Sequence, residues 1–344
     1  MADDVRAYGK EIGQKLRVGL IIDSRLKATE DGAKNMADAD VIIACDLTKH
    51  TKIAKELLPY KNQILAVTCR AEGYIPEFAR VVPHLPYLRT PTSESLLWAS
   101  DKIAMREMMR AYDKELVPKF TIVSSASREA IAKIKEKVGF PLVLKPAGLA
   151  ASLLVSICFH EEELEKTLRR TLGKMRKIYK ENKRSSEPKI LIERFMEGEM
   201  YSIDGYVTSR GRMYFCPMVH VKIGRAIGFD DFFGYEQTTP TQLKKSSVVA
   251  AEAIATKAVH ALGLRSTTVP IELMKMDDKW KIIELGARVG GFRQKMYQLA
   301  FGFDHGINDL LIRMGQEPKI SKKKQGYAAA MKLFAKKEGV LTEL

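Results

Sequence analysis

The stretch IIELGARVGG, residues 282–291, sets two isoleucines before a glutamate and wedges an arginine among glycines. A second acid, Glu272, lies twelve positions upstream in VPIELM. Two apolar runs that meet at a turn around Asp277 and Asp278 predict a hairpin able to hold Glu272 and Glu284 on one face at matching height. Two unpaired carboxylates in an apolar setting repel each other and resist desolvation, so a cation belongs between them. Hard oxygen ligands favour magnesium, which also binds nucleotide phosphates. The competing reading is a pair of surface glutamates. It is weakened by Ile282, Ile283 and Leu285 around one acid and by Val269, Pro270 and Ile271 before the other. Arg288 follows, and its forked guanidinium suits a phosphoryl or carboxylate oxygen, with a salt bridge to either glutamate as the alternative. Gly290 and Gly291 permit close backbone approach or a sharp bend.

Working outward, FPLVLKPAGLAASLLVSI (140–157) ends an apolar strand at Lys145, before a loop of small residues containing Ser152. Small residues let backbone amides approach phosphate oxygens, and the lysine supplies charge. The pattern GxxxxGK[ST] does not occur, so a nucleotide site must be of another kind. KILIERFMEGEMYSIDGYV (189–207) is an apolar strand, an acidic hinge bracketed by Glu193 and Glu199, and a second strand. Such a hinge can offer backbone hydrogen bonds to an adenine edge and a carboxylate to ribose hydroxyls, or be a plain acidic turn. In PMVHVKIG, His220 and Lys222 alternate so that both face one side of a strand. Lys222 suits an anion, whereas a lone strand histidine is more often structural.

Whole-chain properties set the frame. The 344 residues, 46% of them apolar, predict two or three domains. The N-terminus is charged throughout, without the apolar centre of a signal peptide, and no apolar run is long enough to span a bilayer, so a cytoplasmic protein without a membrane role is expected. Four cysteines, widely separated in apolar segments, match no zinc pattern. The net charge of +15 attracts polyanions. However, the densest basic segment, 169–184, continues a helical pattern in which Leu164, Leu168, Leu172, Met175 and Tyr179 recur at helical spacing. That charge therefore reads as a solvated helix face, and no nucleic-acid partner is expected.

Residues 17–88 alternate short apolar runs (RVGLIID, ADVIIAC, NQILAVTC) with polar stretches, the pattern of a small Rossmann-like α/β domain. A Pro, Ser and Thr-rich segment at 84–95 then precedes a single predicted helix, SLLWASDKIAMREMMRAYDK. Beyond it, hairpins alternate with helices in an α+β pattern. RMYFCPMVHV reads as one strand, and the tail GYAAAMKLFAKKEGVL contains a strand-like piece.

In this order, SDKIAMREMM, VLKP, the small-residue loop, IERFMEGE, IEL and IELGARVGG resemble the ATP-grasp superfamily, over roughly residues 90–315. The likeness is to its carbamoyl-phosphate-synthase-like and biotin-carboxylase-like branch. The resemblance implies a Rossmann-like pre-ATP-grasp domain at 1–88, an ATP-grasp domain at 89–315 with a mobile lid at about 118–195, and a C-terminal extension at 316–344. It implies ATP with Mg2+, or Mn2+ in its place. Lys102, Lys145 and the loop at Ser152 would contact phosphates, and Glu193 with the backbone of Arg194 and Met196 would hold the base. Glu199 would take the ribose, Glu272 and Glu284 the metal, and Arg288 the reacting phosphoryl group, with Lys222 and His220 on the acceptor side. The family usually has asparagine two residues after the second metal glutamate. This chain has Gly286, which leaves the number of metals open and motivates a regulator without catalysis as one alternative. A glycine-poor loop at 147–154 argues against bicarbonate chemistry and for the amino-acid ligase branch. The implied activity is ATP-dependent ligation of a carboxylate and an amine, on amino acids or short peptides, through an acyl phosphate; a purine-pathway or carbamoyl-phosphate-type ligase is the other alternative. A homo-oligomer is compatible with this reading.

Overall fold

The computed structural model describes residues 2–26, 36–149, 153–182, 184, 186–334 and 339–340. The chain begins with α1 (Ala2–Glu11), β1 (Gly19–Asp23), β2 (Val41–Cys45), α2 (His50–Leu57) and α3 (Ile75–Val81). β1 and β2 pair in parallel, Gly19 opposite Val41. Ile43, Cys45, Ile53, Leu57, Val81 and Leu85 form the core beside them. The third strand expected at NQILAVTC does not form: residues 64–70 join no ladder, although Ile64 and Val67 pack against that core. Apolar periodicity reports burial, and burial does not require a hydrogen-bonded neighbour.

The predicted single helix after residue 92 is two, α4 (Ser93–Ser100) and α5 (Lys102–Tyr112). Asp101 breaks it. Its backbone is extended, and its side chain accepts from the amides of Ile103 at 2.7 Å and Ala104 at 3.0 Å. A capping carboxylate satisfies amides that would otherwise lack partners, so the chain gains by restarting the helix there.

Next comes an antiparallel sheet of β3 (Phe120–Val123), β4 (Leu142–Pro146), β5 (Ser156–Cys158) and β6 (Ile190–Arg194), in the order β3-β6-β4-β5. It is interleaved with α6 (Arg128–Lys137) and α7 (Glu161–Glu181). Leu142, Leu144, Ile190 and Ile192 point to these helices and build a separate core with Leu164, Leu168 and Met175. The alternate residues Lys145 and Glu193 therefore share the opposite face.

The largest sheet comprises β7 (Glu199–Val207), β8 (Met213–Phe215), β9 (Val219–Ile223), β10 (Gly234–Thr239), β11 (Thr267–Met276), β12 (Lys279–Leu285) and β13 (Ala328–Met331). Its order among the described residues is β12-β11-β7-β9-β10-β13, with β8 on β7. The expected strand RMYFCPMVHV is split into β8 and β9, because Pro217 has no amide to donate and the Cys216 amide turns back to the Asp204 carbonyl at 2.9 Å. The tail strand β13 pairs with β10 and extends this sheet. One face, with Ile203, Ile271, Leu273 and Ile282, packs on α8 (Lys245–Ala261), α4 and α5. Part of the other face is covered by α9 (Arg293–Phe301) and α10 (His305–Met314), against Tyr206 and Val219. The rest of that face carries the polar residues described next.

Candidate active site

Glu272 and Glu284 are direct cross-strand partners in the β11–β12 ladder, at a register shift between Glu272 and Leu273. Antiparallel partners point to the same side, so both carboxylates project from one spot. Burial and the neighbouring Glu284 charge push the Glu272 carboxyl up to about 7. Like charges held this close favour any arrangement that brings in positive charge.

The positive groups come from two other elements. Lys102, at the start of α5, places Nζ 3.0 Å from Oε1 of Glu284. One helical turn later, on the same face, Arg106 donates to Oε1 of Glu193 and to the Ile283 carbonyl. Lys145 of β4 places Nζ 2.5 Å from Oε2 of Glu193. Burial pushes the Glu193 carboxyl up, but Arg106 and Lys145 outweigh burial and hold it at about 2. Glu193 thus couples the four-stranded sheet to α5. This corrects the reading of its side chain as an adenine ligand: with 1% of the residue exposed, the carboxylate is committed to two cations.

Beyond β12, Arg288 donates Nε to Oε2 of Glu72 at 2.5 Å and Nη1 to the Val289 carbonyl at 2.9 Å. The salt bridge to either paired glutamate, considered from sequence, does not form: Arg288 pairs with Glu72 of the N-terminal unit. Deeper, Arg293 donates Nε to Oδ2 of the buried Asp204 at 2.9 Å, and Tyr297 donates to the same oxygen at 2.8 Å. Arg293 also reaches Gln237. A Cβ on Gly290 would stand 2.5 Å from Oδ1 of Asp204, so glycine there admits this carboxylate. Arg106, Arg293, Asp204 and Glu72 were not read from the sequence. Only Arg106 left a local signal, its four-residue spacing from Lys102.

Other expected residues lie elsewhere. His220 is opposite Tyr201 in the β7–β9 ladder, whereas Ser202, the residue opposite Glu272, is opposite Val219. His220 and Lys222 therefore occupy the sheet face away from the paired glutamates. There His220 lies against Tyr201, ring centroids 4.8 Å apart, and Lys222 pairs with Glu236 at 3.1 Å. Their assignment to the reacting side is corrected accordingly. Glu199 shares that face and accepts from the Tyr201 hydroxyl at 2.7 Å, so the ribose assignment is not supported by where its carboxylate points. At the hinge, the Arg194 amide donates to the Lys119 carbonyl at 2.8 Å and Met196 is buried. Ser152 lies outside the described residues. A groove lined by Tyr8, Phe303, Asn308 and Lys319, between α1 and α10, contains none of these groups.

Residues 138–295 match the ATP-grasp domain family. The chain is 26% identical over 282 residues to the uncharacterized protein y4rH of Sinorhizobium fredii, covering 81% of this chain and 55% of that one. It is 28% identical over 252 residues to the alanine–anticapsin ligase of Bacillus subtilis, covering 70% and 52% respectively. The chain thus spans about half the length of the curated relatives it matches. Among solved structures, the L-amino acid ligase from Bacillus licheniformis superposes with a TM-score of 0.67 at 19% identity, over 92% of this chain and 72% of that one. Phosphoribosylglycinamide synthetase from Anaerococcus prevotii gives 0.68 at 18% identity, over 98% and 80%. N5-carboxyaminoimidazole synthetase from Staphylococcus aureus, complexed with ADP, gives 0.71 at 14%, over 96% and 79%. Lysines, arginine and paired glutamates are thus gathered between two sheets within and beside the stretch 138–295 that matches the ATP-grasp domain family, and the chain shares its fold with these solved structures.

Proposed function

We propose that the protein is an ATP-dependent carboxylate–amine ligase acting on amino acids or short peptides and releasing ADP and phosphate. The observation that carries this reading is the convergence of Lys102 and Lys145, from separate elements, on the face that bears the cross-strand pair Glu272 and Glu284. The likeness to the alanine–anticapsin ligase supports the substrate class.

Two adjacent carboxylates fit a divalent cation such as Mg2+ or Mn2+, which prefers one or two carboxylates together with substrate phosphates. Such an ion, when bound, supplies charge neutralisation for the triphosphate. This chain's own residues do the rest. Lys102 and Lys145 hold phosphate oxygens, the latter aimed by Glu193 and Arg106. At the hinge the Arg194 amide is committed to the Lys119 carbonyl, so other backbone groups of the hinge would hold a base. Arg288 orients the substrate carboxylate, one oxygen of which attacks the γ-phosphorus while ADP departs with the bridging oxygen and its electron pair. The amine nitrogen then attacks the acyl carbon, phosphate leaves, and the amine loses a proton. Positioning and charge supply the acceleration, and a nucleophilic side chain is not required. The four-stranded sheet with its own core, about 118–195, acts as the lid that keeps water from the acyl phosphate. Among the described residues no helix is long and apolar enough to cross a membrane, and all four cysteines are free, which supports a cytoplasmic setting.

The test is ADP release in the presence of Mg2+ over paired amino acids and small carboxylates, with hydroxylamine to trap the acyl phosphate. Glu284→Gln is expected to lower turnover about a hundredfold or more while the protein stays folded. Full turnover in that variant would refute the metal assignment.

A further inference from the structure

Among the described residues, Glu72 brings the N-terminal unit to Arg288. A 3-10 turn, Glu72–Tyr74, sets Glu72 against Arg288, 216 residues along the chain. Gly286 leaves room for the approach: a Cβ there would stand 3.3 Å from the same Glu72 oxygen, a tight contact that the side chain would relieve by a small shift. The pair is not sealed, with the Arg288 and Glu72 side chains 26% and 37% exposed. Nε and Nη1 of Arg288 are engaged with Glu72 and Val289, which leaves Nη2 as the donor on the guanidinium edge beside the carboxylate.

A guanidinium and a carboxylate side by side at a partly open position are the complement of a zwitterion. The guanidinium offers Nη2 to a carboxylate oxygen, and the Glu72 carboxylate takes an ammonium. A substrate carrying only a carboxylate would bring a second negative charge to a guanidinium already paired with Glu72, whereas an ammonium restores the balance. We propose that Glu72 is a specificity-determining residue: it accepts the ammonium of the α-amino acid whose carboxylate is activated beside Arg288, so that the site prefers amino acids to the same acids lacking the amine. Binding as ammonium also withholds the nitrogen lone pair, so the activated amino acid does not compete with the second substrate as nucleophile. The inference rests on the ligase reading above and adds the group that reads the amine.

Glycine, alanine and phenylalanine are compared with acetate, propanoate and 3-phenylpropanoate in ADP release and hydroxamate formation, in the unaltered protein, Glu72→Gln and Glu72→Asp. A charge-assisted hydrogen bond of about 1.5–3 kcal/mol corresponds to roughly 10- to 150-fold in discrimination. For the amino acid that turns over, the kcat/KM ratio to its des-amino partner is expected to fall at least tenfold in Glu72→Gln, mainly through KM. It should be partly retained in Glu72→Asp. A ratio within twofold of the unaltered protein in Glu72→Gln would overturn the inference and leave the ligase reading intact. Failure of the ligase reading shows differently, as no ADP release with any acid. Calorimetric titration of the three amino acids and their des-amino partners into the protein with a non-hydrolysable ATP analogue then still decides: amino-acid binding weakened at least tenfold by Glu72→Gln supports the clamp, and equal binding refutes it.

Discussion

Glu193 carries two cations on one carboxylate, and removing its charge leaves both Arg106 and Lys145 without their partner in a buried setting. Loss of one member of a buried ion pair typically costs about 3–5 kcal/mol, so Glu193→Ala should lower the unfolding free energy measured by denaturant titration by an amount in that range and release Lys145 from its aim. The acid limb of the stability curve carries the same signature. The folded-state value of about 2 lies below the ordinary 4.5, so this stability is fully present above pH 4.5 and is lost as pH falls toward 2. On the order of 3 kcal/mol is involved. Unfolding titrations of the natural protein and Glu193→Gln at pH 7 and pH 3 should therefore converge toward the acid side, and parallel curves would contradict the assignment. The residue type and its place in the hinge were visible in the sequence. Its role was not, because Arg106 lies 87 positions away and no local rule links them. Glu72 and Arg288, 216 positions apart, were hidden for the same reason.

The hairpin β11–β12 was the most legible element. Its turn at Asp277 and Asp278 sets the register from Met276–Lys279 to Leu273–Ile282, which alone would put Glu272 opposite Ile283; the register shift between Glu272 and Leu273, which the sequence did not announce, brings Glu284 opposite it. β9 shows the limit of such reasoning. Alternation states that His220 and Lys222 share a face, but which face depends on pairing with β7, and that pairing puts His220 beside Tyr201 on the far side. The break between α4 and α5 was legible in principle, as Asp101 precedes a run of good helix formers. It also bears on the site, since both Lys102 and Arg106 hang on α5. Asp101→Ala should cost about 1 kcal/mol by loss of the cap. Because fraying would start at Lys102, KM for ATP should rise in the same variant. A stability loss with unaltered KM would show that the lysine is held by Glu284 alone.

Across the whole molecule, the N-terminal unit is fastened to the large sheet by a buried network. Asp309 accepts from Thr68 at 2.9 Å and from Thr268 at 2.6 Å, and Arg313 donates to it at 3.1 Å. Thr68 comes from the first unit and the others from the second, so the position of Glu72 at the site depends on this joint. Asp309→Ala strands the Arg313 charge in the core. It is expected to destabilise by about 3–5 kcal/mol, and to reduce amino-acid discrimination along with it. The order of motifs made the two-part architecture readable. The joint was not readable, because threonines and an Asp–Arg pair have no distinctive spacing when they meet only in three dimensions. The expected third strand failed for a related reason, since the apolar run at 62–69 marked contact with a core and not membership of a sheet.

The central claim is that a substrate carboxylate oxygen attacks ATP and leaves again on phosphate. It is tested most directly by running the reaction on an amino acid labelled with oxygen-18 in its carboxylate and analysing the phosphate by mass spectrometry. One labelled oxygen in each phosphate released is the predicted result. Phosphate carrying no label, with ADP formed at the same rate, would contradict the account.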